Sequence, residues 1–294
     1  MKLSNLALAA VSILLIAFLL STVDIPQLAR TLSGASLPLV VAALLSALTA
    51  LAFKTLRWKA LLSEKREIKF GELFPIQVAG IATSNFSPGK MLEPVKVVPL
   101  KQRGINYSFG LLTVFWERAF DLLVLFALAI GALPLLDGNV RLALSAIFLI
   151  IVLAVLAMFR HFSKILSLLK RLPFLKFLSG VEAHNFKKRA LLSSFGLTAV
   201  AWIFDALVMQ LSFMSVGISI SFTTLASAYF ASILIGVVSF LPGGIGGTEA
   251  AMLFLLKGAA PKEALLGAIV IGRASSLGFS SLLGFAMLPK VRKN

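Results

Sequence analysis

Apolar stretches long enough to cross a membrane recur along the chain, and short polar segments separate them. About 20 consecutive apolar residues span the hydrocarbon core as a helix. Six stretches meet this requirement, and the polar segment 24–36 between the first two is predicted to be a loop. The predicted spans are 3–23, 37–62, 108–133, 140–159, 190–214 and 264–288. The pattern therefore predicts an all-α, polytopic helical membrane protein.

Two further apolar stretches, 70–100 and 222–256, are interrupted in the middle. The first break contains Pro88-Gly89, and the second is the glycine-rich stretch 241–249. Proline removes a backbone donor, and each glycine weakens a helix by about 1 kcal/mol. A broken backbone at membrane depth is stable only if protein buries it or it lines a wet cavity. Both stretches are therefore predicted to be re-entrant helix–break–helix pairs, although the second break also fits a tight turn outside the membrane.

The second half-helices are predicted to begin near Met91 and Gly247, where their N-termini would present backbone donors and positive dipole ends to an anion. In the second break the glycines are expected to be needed for their backbone. Alanine at Gly246 and Gly247 is therefore expected to maintain or raise stability by favouring a continuous helix.

The two broken stretches have matching surroundings. Glu93 follows the first break and precedes Arg118 by 25 residues, and Glu249 follows the second and precedes Arg273 by 24. Weakly similar, glycine- or proline-broken segments in two halves of a chain are typical of transporter repeats. The chain is therefore interpreted as a single membrane domain, 1–294, containing repeats 37–133 and 190–288.

The positive charge is concentrated in a few segments of the chain. Net charge is +16, and 21 of the 28 lysines and arginines are Lys2, the C-terminal tail or part of 54–69, 96–103 and 160–189. Because cytoplasmic segments are enriched in lysine and arginine, these are predicted to face the cytoplasm, with both termini. The location predicted is the cell membrane, and no nucleic-acid partner is needed to explain the charge.

This orientation has three further consequences. The two broken segments enter from opposite sides, which predicts inverted repeats. The loop 160–189 is predicted to contain a cytoplasmic amphipathic helix. Lys54, Arg57 and Lys59, near the end of the span 37–62, are predicted to extend to the membrane interface.

Seven charged residues are predicted at membrane depth, where each costs a few kcal/mol unless it faces a cavity or an opposite charge. They are Glu93, Glu117, Arg118, Asp121, Asp205, Glu249 and Arg273. One interpretation is that Arg118 and Arg273 hold an anionic headgroup, since the guanidinium fork binds phosphate bidentately. The other is a structural ion-pair network. Asp205 is either a proton-coupling site, as Glu249 is also proposed to be, or a counter-ion, or a lone protonated carboxylate.

The predicted substrate-binding set combines these charges with the two breaks. It consists of Pro88, Gly89, Glu93, Glu117, Arg118, Asp121, Pro242, Gly243, Gly244, Gly246, Gly247, Glu249 and Arg273. The chain contains no cysteine and two histidines, so no metal site is expected. No catalytic constellation, phosphate-binding loop or cofactor motif is recognisable, and we do not expect an enzyme.

These residues resemble a known family, the transmembrane region of lysylphosphatidylglycerol synthases, also described as flippase-like or UPF0104 membrane proteins. The similar stretches are Asn85–Pro94 with Glu117–Asp121, and Leu241–Glu249 with Arg273. Leu92 stands where the family usually has a glycine, which implies a less flexible first break. In bifunctional members this region precedes a soluble synthase domain and moves an aminoacylated lipid to the outer leaflet. No such domain is expected in this chain.

The resemblance implies translocation of an anionic or phosphate-linked lipid, such as an aminoacylated phospholipid or a polyprenyl-phosphate glycolipid. The alternative is a non-transporting membrane partner that binds lipid or anchors a separately encoded transferase. A third hypothesis, a membrane-embedded transferase with Glu93 or Glu249 as base, is disfavoured because no metal-binding acidic pair is recognisable. Membrane lipid is the expected ligand, and a homo-oligomer is left open.

Overall fold

The computed structural model describes residues 17–88, 92–131 and 184–293, with separate positions between 11 and 15 and between 138 and 164. Every regular element among these residues is a helix. The prediction of an all-α, polytopic helical membrane protein is confirmed. Some predicted features lie wholly or mostly outside the described residues: the span 140–159, the amphipathic helix of 160–189, most of the span 3–23, Gly89 and Met91.

Nine α-helices follow the end of a further helix at Ser21, and three elements of other helix types lie between them. In chain order the α-helices are α1 (Ile25–Ser33), α2 (Leu37–Leu62), α3 (Phe70–Asn85), α4 (Tyr107–Ala129), α5 (Lys188–Ser215), α6 (Phe222–Val238), α7 (Gly247–Leu255), α8 (Lys262–Arg273) and α9 (Phe279–Lys293). The other elements are 3₁₀-helices at Glu93–Arg103 and Pro242–Gly244 and a π-helical turn at Ala274–Gly278.

Three described helical runs are long and apolar enough to cross a membrane, namely Leu37–Leu62, Lys188–Ser215 and Lys262–Val291. They correspond to the predicted spans 37–62, 190–214 and 264–288. The last run consists of α8, the π-helical turn and most of α9. The predicted spans are therefore helices at these three places, and the protein is an integral membrane protein.

The prediction of a loop at 24–36 is wrong, because this segment contains α1. The Asp24 carboxylate accepts a hydrogen bond from Gln27 N at 2.9 Å, and Pro26 lies in the first turn. An aspartate cap followed by proline is a helix-start signal that outweighs the polarity of the segment. Helix α1 packs on α8, where a Cβ added to Gly267 would lie 2.7 Å from Thr31 Cγ2.

The long helices α2 and α5 pack against each other in antiparallel orientation and form the centre of the bundle. At one end Ser36 N donates to the Ser215 carbonyl oxygen at 2.8 Å. At the other end Lys187, just before α5, lies close to the end of α2, since its N donates to Glu64 Oε2 at 3.4 Å. This arrangement agrees with two halves of opposite orientation, and the inverted repeat itself stays a prediction.

The first broken segment leaves and returns at the same end of the bundle. Helix α3 leads inward, and the return arm is a 3₁₀-helix, Glu93–Arg103, where an α-helical half had been predicted. Pro99 lacks the N–H that an α-helix would donate four residues back, whereas Pro94 lies in the first turn, where a helix needs no such donor. At the end of the return arm Gly104 lies against the Arg66 guanidinium, just before α3 begins.

Labelling near the two ends of α5 provides a test of orientation. The turn after α2 lies beside the start of α5, and the turn before α6 follows its end. We expect Ser63→Cys, in the exposed turn after α2, to react with a membrane-impermeant maleimide only from the cytoplasm. Ser219→Cys, in the exposed turn between α5 and α6, should react only from outside. The native chain contains no cysteine, so the unmodified protein is the blank. The opposite labelling would reverse the predicted topology, and labelling of both from one side would contradict α5 as a span.

Candidate functional site

Three cations and three carboxylates form a buried cluster, here called the first charge network, where α2, α4 and the 3₁₀-helix 93–103 meet. Its members are Arg57 of α2, Glu93 and Lys96 of the 3₁₀-helix, and Glu117, Arg118 and Asp121 of α4. The residues of α4 converge because positions three and four apart share one face of a helix. Charges are balanced within the network.

Lys96 is the centre of the network and its side chain is completely buried. Its Nζ donates to Glu117 Oε2 at 2.6 Å, to Glu93 Oε1 at 3.1 Å and to Gln77 Oε1 at 3.0 Å. The ammonium group also lies 4.4 Å from the centre of the Trp58 ring. Three acceptors and an aromatic face compensate a lysine that would otherwise be costly to bury.

Arg57 joins the two carboxylates of α4. Its Nε donates to Glu117 Oε1 at 3.1 Å, and both terminal nitrogens donate to Asp121, Nη2 to Oδ2 at 3.1 Å. The indole Nε1 of Trp202 on α5 donates to Asp121 Oδ1 at 2.9 Å. This network therefore connects α2, α4 and α5.

Arg118 is the accessible member of the network, with 35% of its side chain exposed. Its Nη2 lies 3.1 Å from Glu93 Oε1 and 2.6 Å from Asp121 Oδ2. The buried Nε has no hydrogen-bond partner among the described residues. Arg118 is thus held by two carboxylates and presents only part of its guanidinium to a ligand.

The second broken segment is held by Arg273. Its Nε lies 2.6 Å from Glu249 Oε1, and its Nη2 donates to the Gly243 carbonyl oxygen at 2.6 Å. The other oxygen of Glu249 accepts from Gly246 N at 2.6 Å, at the start of α7. One ion pair therefore fixes the break, the start of α7 and the end of α8 relative to each other.

The glycines of this break adopt backbone conformations that favour glycine. Gly243, Gly244 and Gly246 have φ values of 62°, 66° and 91°. A Cβ at Gly244 would lie 2.8 Å from Thr248 Oγ1 and 3.3 Å from Gly236 Cα. The requirement is therefore both conformational and steric. It reverses the expectation that alanine at Gly246 would maintain or raise stability.

The first break differs from the second. Leu92 N donates to Ser87 Oγ at 3.1 Å across the break, and Pro88 at the start of the break is half-buried. Leu92 itself has φ −86°, a conformation open to any residue, so this position does not need the glycine usual in the resembling family.

A cavity of about 90 Å³ lies between the second break and the helices α2, α5 and α6. This volume holds several water molecules. The polar groups on its wall come from nine helical elements. They are Lys54, Asn85, Trp202, Asp205, Tyr229, Gly243, Gly244, Thr248, Arg273, Ser276 and Ser280. Two cations and one carboxylate thus face a polar space inside an apolar bundle, which is an arrangement that suits an anionic ligand.

The structure divides the predicted substrate-binding residues between these two places. Glu93, Glu117, Arg118 and Asp121 belong to the first charge network, whereas Gly243, Gly244 and Arg273 line the cavity. Pro242, Gly246, Gly247 and Glu249 form and hold the break beside it. Arg118 is not among the described residues that line the cavity, so the two predicted arginines are not brought together there.

The structure excludes one alternative for Asp205 and corrects one prediction about cations. Asp205 is not a lone carboxylate, because Lys54 Nζ lies 2.5 Å from its Oδ2. Neither Lys54 nor Arg57 extends to the interface, since carboxylates on α4 and α5 lie within reach of α2 and hold both inside. Lys96 is likewise buried, so three of the cations counted for topology do not report the cytoplasmic side.

The sequence interpretation also missed polar residues that contact these charges. Trp58 contacts Lys96 through its ring and donates from Nε1 to Thr113 Oγ1 at 2.9 Å, and Trp202 contacts both Asp121 and Lys54. Lys96 was missed as well. Its position three residues after Glu93 was the available signal that it could pair with that carboxylate. Among the described residues no group of three or more His, Asp or Glu side chains is arranged to hold a metal ion.

Comparison with known proteins gives a consistent result. Residues 5–284 match the family model described as the lysylphosphatidylglycerol synthase TM region. A UPF0104 membrane protein of Methanothermobacter thermautotrophicus is 26% identical, over 85% of this chain and 82% of that protein. UPF0104 membrane protein PH1989 of Pyrococcus horikoshii is 27% identical, over 97% of each chain.

A shorter similarity extends to a lipid-modifying protein. The phosphatidylglycerol lysyltransferase of Staphylococcus haemolyticus is 38% identical over 78 residues, which cover 26% of this chain and 9% of that protein. The family match spans nearly the whole chain, including both breaks, the first charge network and the ion pair between Glu249 and Arg273. The protein is therefore a member of the family defined by the transmembrane region of lysylphosphatidylglycerol synthases.

Proposed function

We propose that the protein translocates a membrane lipid with an anionic or phosphate-linked headgroup. Aminoacylated phospholipids and polyprenyl-phosphate glycolipids are the lipid classes that fit. The protein would act as a flippase- or scramblase-like transporter in the cell membrane, with both termini in the cytoplasm, and not as an enzyme. The observation that carries this proposal is the polar cavity, which places Lys54 and Arg273 beside a broken backbone inside an apolar bundle.

Such a cavity can replace the water around a headgroup. A charged headgroup cannot enter hydrocarbon at low cost, whereas fixed cations and hydroxyl groups compensate its charge. The wall includes Ser276, Ser280 and Thr248 beside the two cations. The positive-φ glycines remove side chains where the backbone borders the cavity, which leaves room for a ligand.

The comparisons support the lipid class only in general terms. The family is named after a synthase of lysylphosphatidylglycerol, and one relative is a phosphatidylglycerol lysyltransferase. Phosphatidylglycerol and its aminoacylated form share one phosphodiester headgroup. A phosphodiester is therefore the first chemistry to test, with a separately encoded transferase as the partner that would supply an aminoacylated lipid.

Reconstituted transport tests the proposal. Purified protein would be placed in vesicles containing phosphatidylglycerol that carries a fluorescent dye on one acyl chain. Dithionite bleaches only dye in the outer leaflet, so a translocating protein raises the bleached fraction toward completion. We expect this rise for labelled phosphatidylglycerol and a smaller one for labelled phosphatidylcholine, which has no net charge. Equal bleaching of protein-containing and empty vesicles would contradict transport and favour the non-transporting, lipid-binding alternative.

Arg273 should be more important for transport than for insertion. We expect Arg273→Ala to reduce phosphatidylglycerol transport at least tenfold, on the order of the charge-assisted contact that is lost. Arg273→Lys should recover only part of the activity, because lysine keeps the charge but loses the planar fork that reaches both Glu249 and Gly243. Rates in reconstituted vesicles measure both effects.

The exposed Arg30→Ala serves as the control variant and should transport normally. Thermal unfolding in detergent separates a transport defect from a folding defect. If Arg273→Ala loses its folded, monodisperse state, the ion pair is structural. A folded Arg273→Ala variant with normal transport would remove Arg273 from the headgroup site.

A further inference from the structure

The ion pair between Lys54 and Asp205 occupies a particular place in the bundle. Each residue lies 17 positions after the first residue of its helix, Lys54 in α2 and Asp205 in α5. Phe53 and Phe204, the residues just before them, stack with ring centroids 5.6 Å apart. The pair therefore joins the two antiparallel central helices at corresponding positions of each.

The pair is also open to the cavity. Lys54 and Asp205 both line it, with 17% and 9% of their side chains exposed. Lys54 Nζ lies 2.5 Å from Asp205 Oδ2 and 5.0 Å from the centre of the Trp202 ring. A ligand in the cavity thus meets an ammonium group that is already occupied by a carboxylate of the protein.

The second cation of the cavity is held differently. Arg273 binds Glu249, and both oxygens of Glu249 have partners at 2.6 Å, one in Arg273 and one in Gly246 N. The only partner described for Asp205 is Lys54. An anion that takes Lys54 from Asp205 therefore removes the one partner described for this carboxylate, whereas Glu249 would keep Gly246 N if an anion took Arg273.

We propose that a phosphodiester anion binds in this cavity by displacing Asp205 from Lys54, and that Asp205 takes up a proton as it is displaced. This inference rests on the proposed function and names the binding cation and the proton-coupled group of that same site. Two ion pairs keep the region around the cavity neutral, Lys54–Asp205 and Arg273–Glu249. An entering anion adds one negative charge, and one proton on Asp205 restores neutrality where unpaired buried charge is strongly unfavourable.

The surroundings of Asp205 fit this exchange. The charged and titratable groups that face it are Lys54 from α2, Tyr229 from α6 and Arg273 from α8, while Asp121 of α4 lies beyond Lys54. The π-helical turn packed on α5 carries no charged residue. Moving the ammonium of Lys54 onto the ligand removes the nearest positive charge from Asp205 and leaves a carboxylate without its counter-ion inside the bundle.

Calorimetric titration with dimethyl phosphate and with short-chain phosphatidylglycerol tests this proposal. Both probes carry one phosphodiester charge that does not titrate near neutral pH. Heats measured in two buffers of different ionisation enthalpy give the number of protons taken up per anion. For the intact protein we expect uptake approaching one proton, with affinity falling by up to tenfold per pH unit as pH rises. A preference for the lipid over dimethyl phosphate would assign the site to a lipid headgroup, and equal affinity to a free anion.

Matched variants distinguish this exchange from simple charge attraction. Asp205→Asn should bind either probe at least tenfold more tightly and without proton uptake, because Lys54 is then free. Lys54→Gln should bind at least tenfold more weakly. The neutral double variant Lys54→Gln/Asp205→Asn keeps the cavity free of unpaired charge and should remain folded, with weak, pH-independent binding. Glu72→Gln, an exposed carboxylate in the first turn of α3, should match the intact protein.

Zero proton uptake in the intact protein, or unchanged uptake in Asp205→Asn, would overturn the exchange. Transport measured in vesicles separates this result from failure of the proposed function. Transport that persists without proton-linked binding would support the proposed function and contradict the displacement of Asp205 from Lys54. Proton-linked binding without transport would support the exchange and make the protein a lipid-binding partner.

Discussion

Lys96→Met is expected to destabilise the protein more than any other single change at its charged residues. The substitution leaves Glu93 and Glu117 with one cation fewer inside a network that water barely reaches. Removing one partner of a buried ion pair typically costs about 3–5 kcal/mol, because the remaining charge is uncompensated. We expect a strongly lowered thermal midpoint in detergent and a reduced yield of monodisperse protein, measured by fluorescence-detected size exclusion.

The double variant Lys96→Met/Glu117→Gln tests whether charge balance is the cause. Arg57 and Arg118 would then face Glu93 and Asp121, which is again a neutral set, so at least half of the lost stability should return. Lys101→Met removes an exposed lysine of the same 3₁₀-helix and should have little effect. A Lys96→Met protein as stable as the unmodified chain would show that the network does not hold these helices together.

Gly244→Ala is expected to lower stability and eliminate lipid transport together. An alanine at φ 66° costs about 1–2 kcal/mol, and its methyl group would press on Gly236 of α6 and on Thr248. Since Gly236, Gly244 and Thr248 all line the cavity, relief of this crowding must change its shape. Thermal unfolding in detergent and transport in vesicles measure the two consequences.

Substitutions at two other glycines separate the backbone cost of a positive φ from the crowding caused by the added methyl group. Gly217 has φ 79°, but no other atom lies within 4 Å of the place that a methyl group would take, so Gly217→Ala isolates the backbone cost. Gly247→Ala adds a methyl group 3.1 Å from Ser239 Oγ at a helical position, so it isolates mild crowding. Gly244→Ala should exceed both in lost stability, and transport should survive in Gly217→Ala. Similar losses in Gly244→Ala and Gly217→Ala would mean that the close approach to α6 is unimportant.

Hydropathy located the long helices well because apolar length is a local property. Helix α2 occupies the predicted range 37–62, and α5 extends the predicted range 190–214 by one or two residues at each end. The two breaks were also located from local signals, since proline and clustered glycine disrupt a helix in any context. The loop predicted at 24–36 failed because polarity was given more weight than the cap formed by Asp24.

The partners of the charges were not predictable in the same way. Lys54 lies 17 residues into α2, about 26 Å from its start at 1.5 Å per residue, so depth alone placed it near the far interface. What holds it inside is a carboxylate on α5, 151 residues later in the chain. Likewise Arg57 meets two carboxylates of α4. Spacing along one helix shows which residues share a face, but it does not show which helix covers that face.

The 3₁₀-helix Glu93–Arg103 makes the return arm of the first broken segment nearly as long as α3. At about 2.0 Å per residue its 11 residues extend about 22 Å, whereas an α-helix of the same 11 residues would extend about 16 Å. The 16 residues of α3 extend about 24 Å at 1.5 Å per residue. The two arms are thus nearly equal in length although the second has five residues fewer, which lets Gly104 return to Arg66 beside the start of α3.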